Sequence, residues 1–549
     1  MIKKISLSFL TFILTTTCFS QWNSNTSINT AVAIAAKSQQ NIHSISDTKN
    51  GGILVWDDNR NNTVSSTDVY AQRLKSDGTV KWLMNGLIVC DAAGIQKSNN
   101  ITSGGVDGST IITWEDMRAG NYDIYAQKID SSGNILWGAN GVVVCNKTTT
   151  QKSPKIISDN AGGAIIVWED SVNFYFDIYA QRINNLGVSQ WASNGVAICS
   201  APNQQQNATI DLDNLGGGIV TWQDKRSSTD YDIYAQQINS NGIIGWATDG
   251  VVICNAINTQ SNPRIEPDGS NGAIIAWVDK RNAVDYDFYV QRVSSNGNML
   301  WAANGATVCS AANNQSSIDM KYLGTNGVLI AWKDDRATKN QIYTQLLNLS
   351  GVSQLLTNGV ALSNGLKAQN ANMVRDGNGG AILAWQDSTT TSWNIKSQKL
   401  NSAGVVQWIN GGVIVSDAVN NQVAVSQCTD GNGGAIYSWQ DNRNGIDIDI
   451  YAQHIFTNGV SVGIKEFNTQ LNSICFPNPI TNSSVIQLNE TVNDWDLTIS
   501  NTLGQVVVKK HISNQSYYML NKSEFNEGFY FYTISINNKS IKGNFISIK

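Results

Sequence analysis

The sequence predicts an all-β chain, most of which forms an eight-bladed β-propeller of four-stranded repeats. A Trp-x-Asp motif recurs eight times at intervals of 53 to 58 residues. Gly and Asn stand at the reversals between short apolar runs, where hairpins need a positive φ. Charged residues make up 14% of the chain and proline only 6 residues. This composition suits short strands and tight turns better than helices.

Three positions are filled by the same residue type in all eight repeats, which excludes chance. The motif aspartates are Asp58, Asp116, Asp170, Asp224, Asp279, Asp334, Asp387 and Asp441. One glutamine series is Gln72, Gln127, Gln181, Gln236, Gln291, Gln345, Gln398 and Gln453. A second is Gln40, Gln96, Gln151, Gln205, Gln260, Gln315, Gln369 and Gln422.

The fifth unit illustrates the four strands, A to D. They are expected at 264–266, 273–278, 287–293 and around Met299 to Trp301, before the chain continues into 306–309. A period near 54 residues fits a propeller blade, typically ~40–50 residues, and is too long for a solenoid rung.

An open array or two smaller rings are the alternatives to one closed ring. The ends of the repeat region favour closure, because residues 29–34 resemble the end of a unit, such as 194–198, and the eighth unit stops after Val462. The N-terminal segment is therefore expected to supply the outer strand of the last blade.

Residues 1–20 are predicted to be a secretory signal peptide. Lys3 and Lys4 precede an apolar run, and cleavage is expected after Ser20. The run is too short for a membrane anchor, and acylation at Cys18 is an alternative in a poor context. We expect no transmembrane segment in the mature chain.

The end of the chain carries four motifs outside the repeat. They are 476–479 (FPNP), 501–507 (NTLGQVV), 527–532 (EGFYFY) and 542–549 (KGNFISIK). This region resembles the type A C-terminal sorting domain of the type IX secretion system. The resemblance implies a small C-terminal β-sandwich that directs passage across the outer membrane and is usually clipped off, with the cargo attached to surface lipopolysaccharide or released. An ordinary β-sandwich adhesion module is the alternative.

These features predict four parts: a signal peptide (1–20), the propeller (21–464), a linker (465–472) and the sorting domain (473–549). The expected partner is the type IX secretion machinery. The expected location is the extracellular space or the outer-membrane surface, reached through the periplasm. Turns at 75–82 and 130–137 also resemble degenerate Asp-box hairpins, which support the fold and indicate no activity.

The sequence offers little recognisable chemistry. Its three histidines have no ligand spacing, and no standard hydrolase motif occurs, so we predict neither a catalytic residue nor a metal site. Calcium could bind the Asp-rich turns. The net charge of −5, without basic clusters, gives no reason to expect nucleic acid.

The motif aspartates are predicted to be structural. Six of them are followed by an arginine, at Arg60, Arg118, Arg226, Arg281, Arg336 and Arg443. A position repeated eight times serves each blade more plausibly than one ligand. An annulus of functional acid–base pairs is the alternative.

Binding is expected where the repeats differ. The third unit lacks the arginine and carries Phe174, Tyr175 and Phe176; the seventh also lacks it and carries Trp393. The sixth has Asn340 where most units have Asp. Exposed aromatic rings on loops could stack on sugars or dock a protein. The alternative is that these rings cover the neighbouring blade.

Three hypotheses of function follow. The first is a non-catalytic binding or adhesion module for a polysaccharide or surface protein. The second is a secreted glycosidase or lyase with carboxylates at the propeller channel, which a distinct acidic pair there would favour. The third is a structural surface-layer component.

Five cysteines share one repeat position on a predicted outer strand: Cys90, Cys145, Cys199, Cys254 and Cys309. Neighbouring blades are too far apart there for a disulfide, which needs Cα atoms within ~7 Å. We expect buried free thiols, with Ile34 and Ser363 in the same neighbourhood in other units.

Overall fold

A computed structural model describes residues 22–61, 67–172, 174–336, 339–461, 473–488, 494–536 and 539–548. The chain forms two compact units, Met1–Val462 and Gly463–Lys549. The predicted signal peptide (1–20) and linker (465–472) lie outside the described residues.

The first unit is an eight-bladed propeller, as predicted, with eight four-stranded antiparallel sheets. The short strand β1 (Thr30–Ala33) precedes the first blade. Blades one to four comprise β2 (Gln39–Ser46), β3 (Gly52–Asp58), β4 (Asp68–Leu74), β5 (Leu87–Cys90); β6 (Gln96–Ser103), β7 (Thr110–Asp116), β8 (Asp123–Ile129), β9 (Val142–Cys145); β10 (Gln151–Ser158), β11 (Ala164–Val172), β12 (Tyr175–Ile183), β13 (Val196–Cys199); β14 (Gln205–Leu212), β15 (Gly218–Asp224), β16 (Asp232–Ile238) and β17 (Val251–Cys254).

Blades five to eight continue the pattern, with one 3-10 turn at Gly324–Asn326. They comprise β18 (Gln260–Pro267), β19 (Ala273–Asp279), β20 (Asp287–Val293), β21 (Ala306–Cys309); β22 (Gln315–Tyr322), β23 (Val328–Asp334), β24 (Gln341–Leu347), β25 (Val360–Ala361); β26 (Ala368–Arg375), β27 (Ala381–Ser388), β28 (Trp393–Leu400), β29 (Val413–Ser416); β30 (Gln422–Thr429), β31 (Ala435–Asp441) and β32 (Asp449–Ile455).

The ring is closed, and the N-terminal segment closes it. The first strands of neighbouring blades contact each other all the way round, and β30 contacts β2. The outer strand of the last blade is β1, which pairs antiparallel with β32. Just before it, the Trp22 indole donates to the Ser76 carbonyl of blade one at 2.8 Å. The Gln453 amide donates to the Asn23 carbonyl at 2.9 Å. The expected closure is confirmed.

The Trp-x-Asp motif lies at the end of each B strand and organises the blade around it. In blade five the fully buried Trp277 donates from Nε1 to Asp279 Oδ2 at 2.8 Å. Its ring packs against Gly305, where a Cβ atom would lie 2.5 Å from the indole. Gly305 also has a φ of +89°, so both space and conformation require glycine just before strand D.

Two expectations about the strands were wrong. The last strand of the fifth unit is 306–309, not 299–301: Met299 makes a single bridge to Val293, and the Trp301 indole turns to the Leu349 carbonyl of the next blade at 3.0 Å. The second glutamine series was expected to occupy one repeat position in all eight blades. In blades one and seven the residues opposite the motif aspartates are Gln39 and Ala368, one residue before Gln40 and Gln369, so these two glutamines do not occupy that position.

The five repeated cysteines are free and buried, as expected. Each ends an outer strand, where Cys254 Sγ lies 3.8 Å from Asp279 Oδ2 and 3.3 Å from Arg281 Nη2. Ser363 fills the equivalent place in blade six, where its hydroxyl accepts the Ile342 N–H at 2.8 Å. In blade eight that place is taken by Ala33, opposite Ile450, and not by Ile34.

These thiols are predicted to stay unreactive and unpaired in the native protein. Burial raises the pKa of Cys90, Cys145, Cys254 and Cys309 from 9.0 to about 12. The thiols of the unfolded chain lose their protons at a lower pH than the buried thiols of the folded protein. The free energy of unfolding is therefore expected to fall above pH 9. Mass spectrometry after alkylation at pH 8 should find these thiols modified only in denaturant. A cross-link between any two would contradict the strand order.

The second unit is a small β-sandwich with a core of its own. Trp495, Leu497, Tyr532 and Phe545 lie in this core, together with other buried apolar side chains of the same unit. A 3-10 turn lies at Lys522–Glu524. One sheet is β33 (Ser473–Phe476), β34 (Ser483–Leu488) and β37 (Tyr517–Asn521); the other is β36 (Val506–Ser513), β35 (Asp494–Asn501), β38 (Gly528–Ile536) and β39 (Lys539–Ser547).

Candidate binding face

The B–C and D–A connections of all blades lie at one end of the propeller, which we call the upper face. The predicted aromatic residues of blade three lie here, at the B–C turn. The Phe174 side chain is fully exposed and Tyr175 is 47% exposed. Phe176 is half-buried, with Lys152 Nζ 3.8 Å from its ring centroid.

Trp393 lies on the same face but on blade seven, four blades from blade three. The structure therefore does not bring it together with Phe174, Tyr175 and Phe176. It is half-buried beside a cleft of about 530 Å³ that is also lined by Lys367.

Trp393 and Phe176 occupy the same register position, opposite Ser388 and Ser171 respectively. The blades on either side of blade three fill it with Tyr122 and Tyr231, and blade five fills it with Tyr286. Four consecutive blades thus present half-buried rings, and we call this set the aromatic arc: Tyr122, Phe176, Tyr231 and Tyr286.

The same register corrects the prediction for blade six. Gln341 pairs with Asp334 and so takes the position of the second aspartate in other blades. Asn340 therefore stands at the aromatic position, which interrupts the rings between Tyr286 and Trp393.

The motif aspartates are held inside their own blades. In blade five, Arg281 donates to Asp279 from Nε at 3.0 Å and from Nη2 at 2.6 Å. All six arginines form this fork. In blades three and seven, which lack the arginine, Lys147 and Lys396 lie 2.8 and 2.7 Å from Asp170 and Asp387. Every motif carboxylate therefore has a cation beside it.

Asp279→Ala is expected to lower the free energy of unfolding by about 3 kcal/mol or more, because it leaves Arg281 and the Trp277 N–H without their acceptor. Asp285→Ala, in the same loop, is the matched control and is expected to change it by less than about 0.5 kcal/mol. Urea unfolding measures both. A folded, stable Asp279→Ala protein that no longer binds ligand would reverse the predicted role.

Sequence reasoning missed a set of side chains at the middle position of the Trp-x-Asp motif. In blades one to four this residue accepts the backbone N–H of a left-handed bulge residue in the next blade's A strand; we call these side chains the seam acceptors. The bonds are Ser98 to Asp57 (3.1 Å), Ser153 to Glu115 (2.8 Å), Asn207 to Glu169 (2.7 Å) and Asn262 to Gln223 (3.1 Å).

The seam acceptors make the upper channel mouth asymmetric. Burial raises the pKa of Asp57 to about 6, against hydrogen bonds from Asn99 and Asn41 that lower it. Burial, followed by the positive charge of Lys155, lowers the pKa of His43 from 6.5 to about 4. The later blades carry Val278, Lys333, Gln386 and Gln440 at the acceptor position. The sequence signal that could have revealed the seam acceptors is the variation of the middle residue between a constant Trp and a constant Asp.

A second charged group lies on the lower half of the A strands of blades four to seven. Lys321 Nζ lies 2.6 Å from Glu266 Oε1, and Arg375 donates to the other oxygen of Glu266. Burial, and then the negative charge of Glu266, raise the pKa of Asp211. Two carboxyl groups therefore stand in unequal environments, one paired with cations and the other favouring its protonated form.

The Asp-rich A–B turns use their oxygens internally. Asp268 Oδ1 accepts the N–H groups of Ser270 and Gly272, each at 2.8 Å, and Oδ2 accepts Arg292 Nε at 2.8 Å. Over the described ranges, no group of three or more His, Cys, Asp or Glu side chains could hold a metal ion.

Residues 474–549 match the family described as the secretion system C-terminal sorting domain. No curated protein sequence matches the chain. Three solved structures are similar in part. An α-L-arabinofuranosidase of Fusarium graminearum is 9% identical, with 79% of this chain and 99% of that chain covered and a TM-score of 0.32. An α-L-arabinanase of Penicillium chrysogenum is 10% identical, with 58% and 98% covered and a TM-score of 0.29. A Dyadobacter fermentans protein of unknown function is 7% identical, with 55% and 93% covered and a TM-score of 0.30.

The sorting domain identifies the chain as a protein exported to the cell surface or extracellular space, and it implies interaction with the type IX secretion machinery. In the part of the chain that the structure describes, no helix has the length and apolar character needed to cross a membrane.

Proposed function

We propose that the propeller is a non-catalytic binding or adhesion module whose upper face holds an extracellular polysaccharide. The aromatic arc carries this proposal. It consists of four half-buried rings at the B–C connections of consecutive blades. Half-exposed aromatic rings offer an apolar face to a sugar at low conformational cost. Their spacing, one per blade, suits an extended polymer better than a small molecule.

The carboxylates of the upper face support binding over catalysis. The three acidic seam acceptors, Asp57, Glu115 and Glu169, each accept a backbone N–H of the neighbouring blade. The motif aspartates are engaged by arginine or lysine, as described above. A general acid or base needs a free position facing the substrate. The seam acceptors instead join neighbouring blades, and the motif aspartates are bound within their own blades.

Replacing rings of the aromatic arc is expected to weaken polysaccharide binding without unfolding the propeller. Loss of one stacking contact should cost about 0.5–1.5 kcal/mol, so Tyr231→Ala together with Tyr286→Ala should lower affinity about 10-fold or more. Trp393→Ala and Tyr175→Ala test the originally predicted residues. Binding is measured on a polysaccharide panel, with thermal unfolding as the folding check. Affinity unchanged in all these variants would contradict the proposal.

A secreted glycosidase or lyase is the second candidate function, and one observation favours it. Asp211 and Glu266 are two carboxyl groups in unequal environments, which acid–base cleavage of a glycosidic bond requires. The same polysaccharide panel should therefore be assayed for turnover. Product formation that disappears in Asp211→Asn, with binding retained, would replace the binding proposal with an enzymatic one.

A further inference from the structure

The seam between blades five and six lacks the acceptor found at the four preceding seams. The acceptor position holds Val278, which is buried and has no hydrogen-bonding side chain. The bulge on the other side is preserved, since Ser317 has a φ of 55°, like Ser98 and Asn262 at 55° and 51°. The N–H group that elsewhere meets a carboxylate or amide oxygen therefore faces a valine here.

An open cleft of about 590 Å³ lies at this seam. Val278, Ser317, Arg264, Lys333 and Tyr286 are among its lining residues. Tyr286 is the last ring of the aromatic arc, so the cleft continues the proposed binding face toward the channel.

The cleft carries an excess of positive charge. Arg264 donates from Nη1 to the Pro263 carbonyl at 3.1 Å, and no carboxylate of the described residues forms a salt bridge with it. Lys333 is paired with Asp335 at 3.2 Å. Arg264 also acts across the channel, where its charge adds to burial in lowering the pKa of Lys155. A carboxylate arriving here would relieve this repulsion.

The next two seams are different. At the seam between blades six and seven the acceptor position holds Lys333, a donor that Asp335 engages. At the following seam Gln386 accepts the Gln369 amide at 3.2 Å. Only at Val278 do an acceptor-free side chain, an open cleft and an arginine without an acid partner coincide within the described blades.

We propose that the cleft between blades five and six binds a uronate unit of an acidic polysaccharide, whose carboxylate takes the place of the missing seam acceptor. In this arrangement the carboxylate accepts the Ser317 N–H and the Arg264 guanidinium, and the sugar ring packs against Tyr286. Guanidinium–carboxylate recognition is charge-assisted and directional. This inference rests on the proposed polysaccharide-binding function and names its ligand class.

The test uses the mature full chain and two probes, tetragalacturonate and its fully methyl-esterified form, with binding measured by calorimetry. The acid should bind at least about 10-fold more tightly than the neutral ester, as expected for one charge-assisted hydrogen bond. Val278→Glu should remove that preference, because the new carboxylate fills the seam as Glu115 and Glu169 do. Gln440→Glu places the same charge at a different seam and is the matched control.

Arg264→Gln gives a second, independent variant should Val278→Glu fail to fold, and it should lower acid binding about 10-fold while leaving ester binding unchanged. Equal affinity for acid and ester, or an acid preference that survives Arg264→Gln, would overturn the uronate site and leave the proposed function intact. If a poly-glutamate peptide competed for the cleft as well as tetragalacturonate does, the site would recognise a carboxylate without recognising a sugar. That result would also overturn the uronate site. If no saccharide of the panel bound to the protein, the proposed function itself would be contradicted.

Discussion

A chain that ends before Ser473 is expected to accumulate in the periplasm as a folded propeller. The signal peptide predicted at 1–20 would still direct it across the inner membrane, but the unit that matches the sorting-domain family would be missing. The effect should be close to all-or-none, because export through a dedicated machinery depends on recognition of that unit.

The propeller should survive this truncation because, among the described residues, each unit has hydrophobic core clusters of its own. The core of the second unit is formed by residues between Ile480 and Phe545. The core clusters of the first unit that lie nearest its end reach Ile455. Thermal unfolding of the purified truncated protein should therefore retain the transition of the propeller.

Fractionation of cells, together with protease treatment of intact cells, measures the location. In the converse experiment, residues 465–549 fused to a periplasmic reporter should carry the reporter to the surface or the medium. Trp495→Asp in the full chain, which places a charge in the core of the second unit, should reproduce the truncation. Normal surface levels of the truncated chain would contradict the sorting assignment and the boundary that we propose at Ser473.

The fold could be predicted because each blade needs the same buried side chains. Trp277 needs Asp279 for its N–H and Gly305 for its ring. The bond from the indole to the aspartate recurs in five other blades, and the glycine against the indole recurs in six, so the repeat is visible in the sequence. Contacts between blades are not visible in this way. The indole of Trp301 bonds a carbonyl 48 residues away, and without that partner the segment resembled a strand.

The candidate site was predicted only in part. Phe174 and Tyr175 stood out because they depart from the repeat. The rings of the aromatic arc share one repeat position, and a repeated ring is equally consistent with packing against the neighbouring blade. Asp211 and Glu266 lie on neighbouring A strands, 55 residues apart in the sequence. Which side chains of neighbouring A strands come close together depends on ring geometry, and the spacing of residues along the chain does not encode it.

Removing residues 22–33 behind the signal peptide is expected to destabilise the whole ring, although the segment resembles a dispensable tail. Val32 and Ala33 are almost completely buried in the last blade, and Trp22 is 5% exposed. They share one core cluster with Ile450 and Trp56, so the segment joins blade eight to blade one. Without it, β32 becomes an open edge strand, which invites aggregation.

The expected loss is larger than that of a typical point substitution. Trp22→Ala alone should lower the free energy of unfolding by about 3 kcal/mol, and the deletion should exceed this because it also removes the pairing of β1 with β32. Ile28→Ala, at a side chain that is 53% exposed in the same segment, is the control and should stay within about 0.5 kcal/mol. Urea unfolding and light scattering provide the measurements. Removal of a closing strand must expose the apolar side chains that it covers. If the deleted protein nevertheless unfolds at the same denaturant concentration as the intact one, the stability of the ring does not depend on this strand.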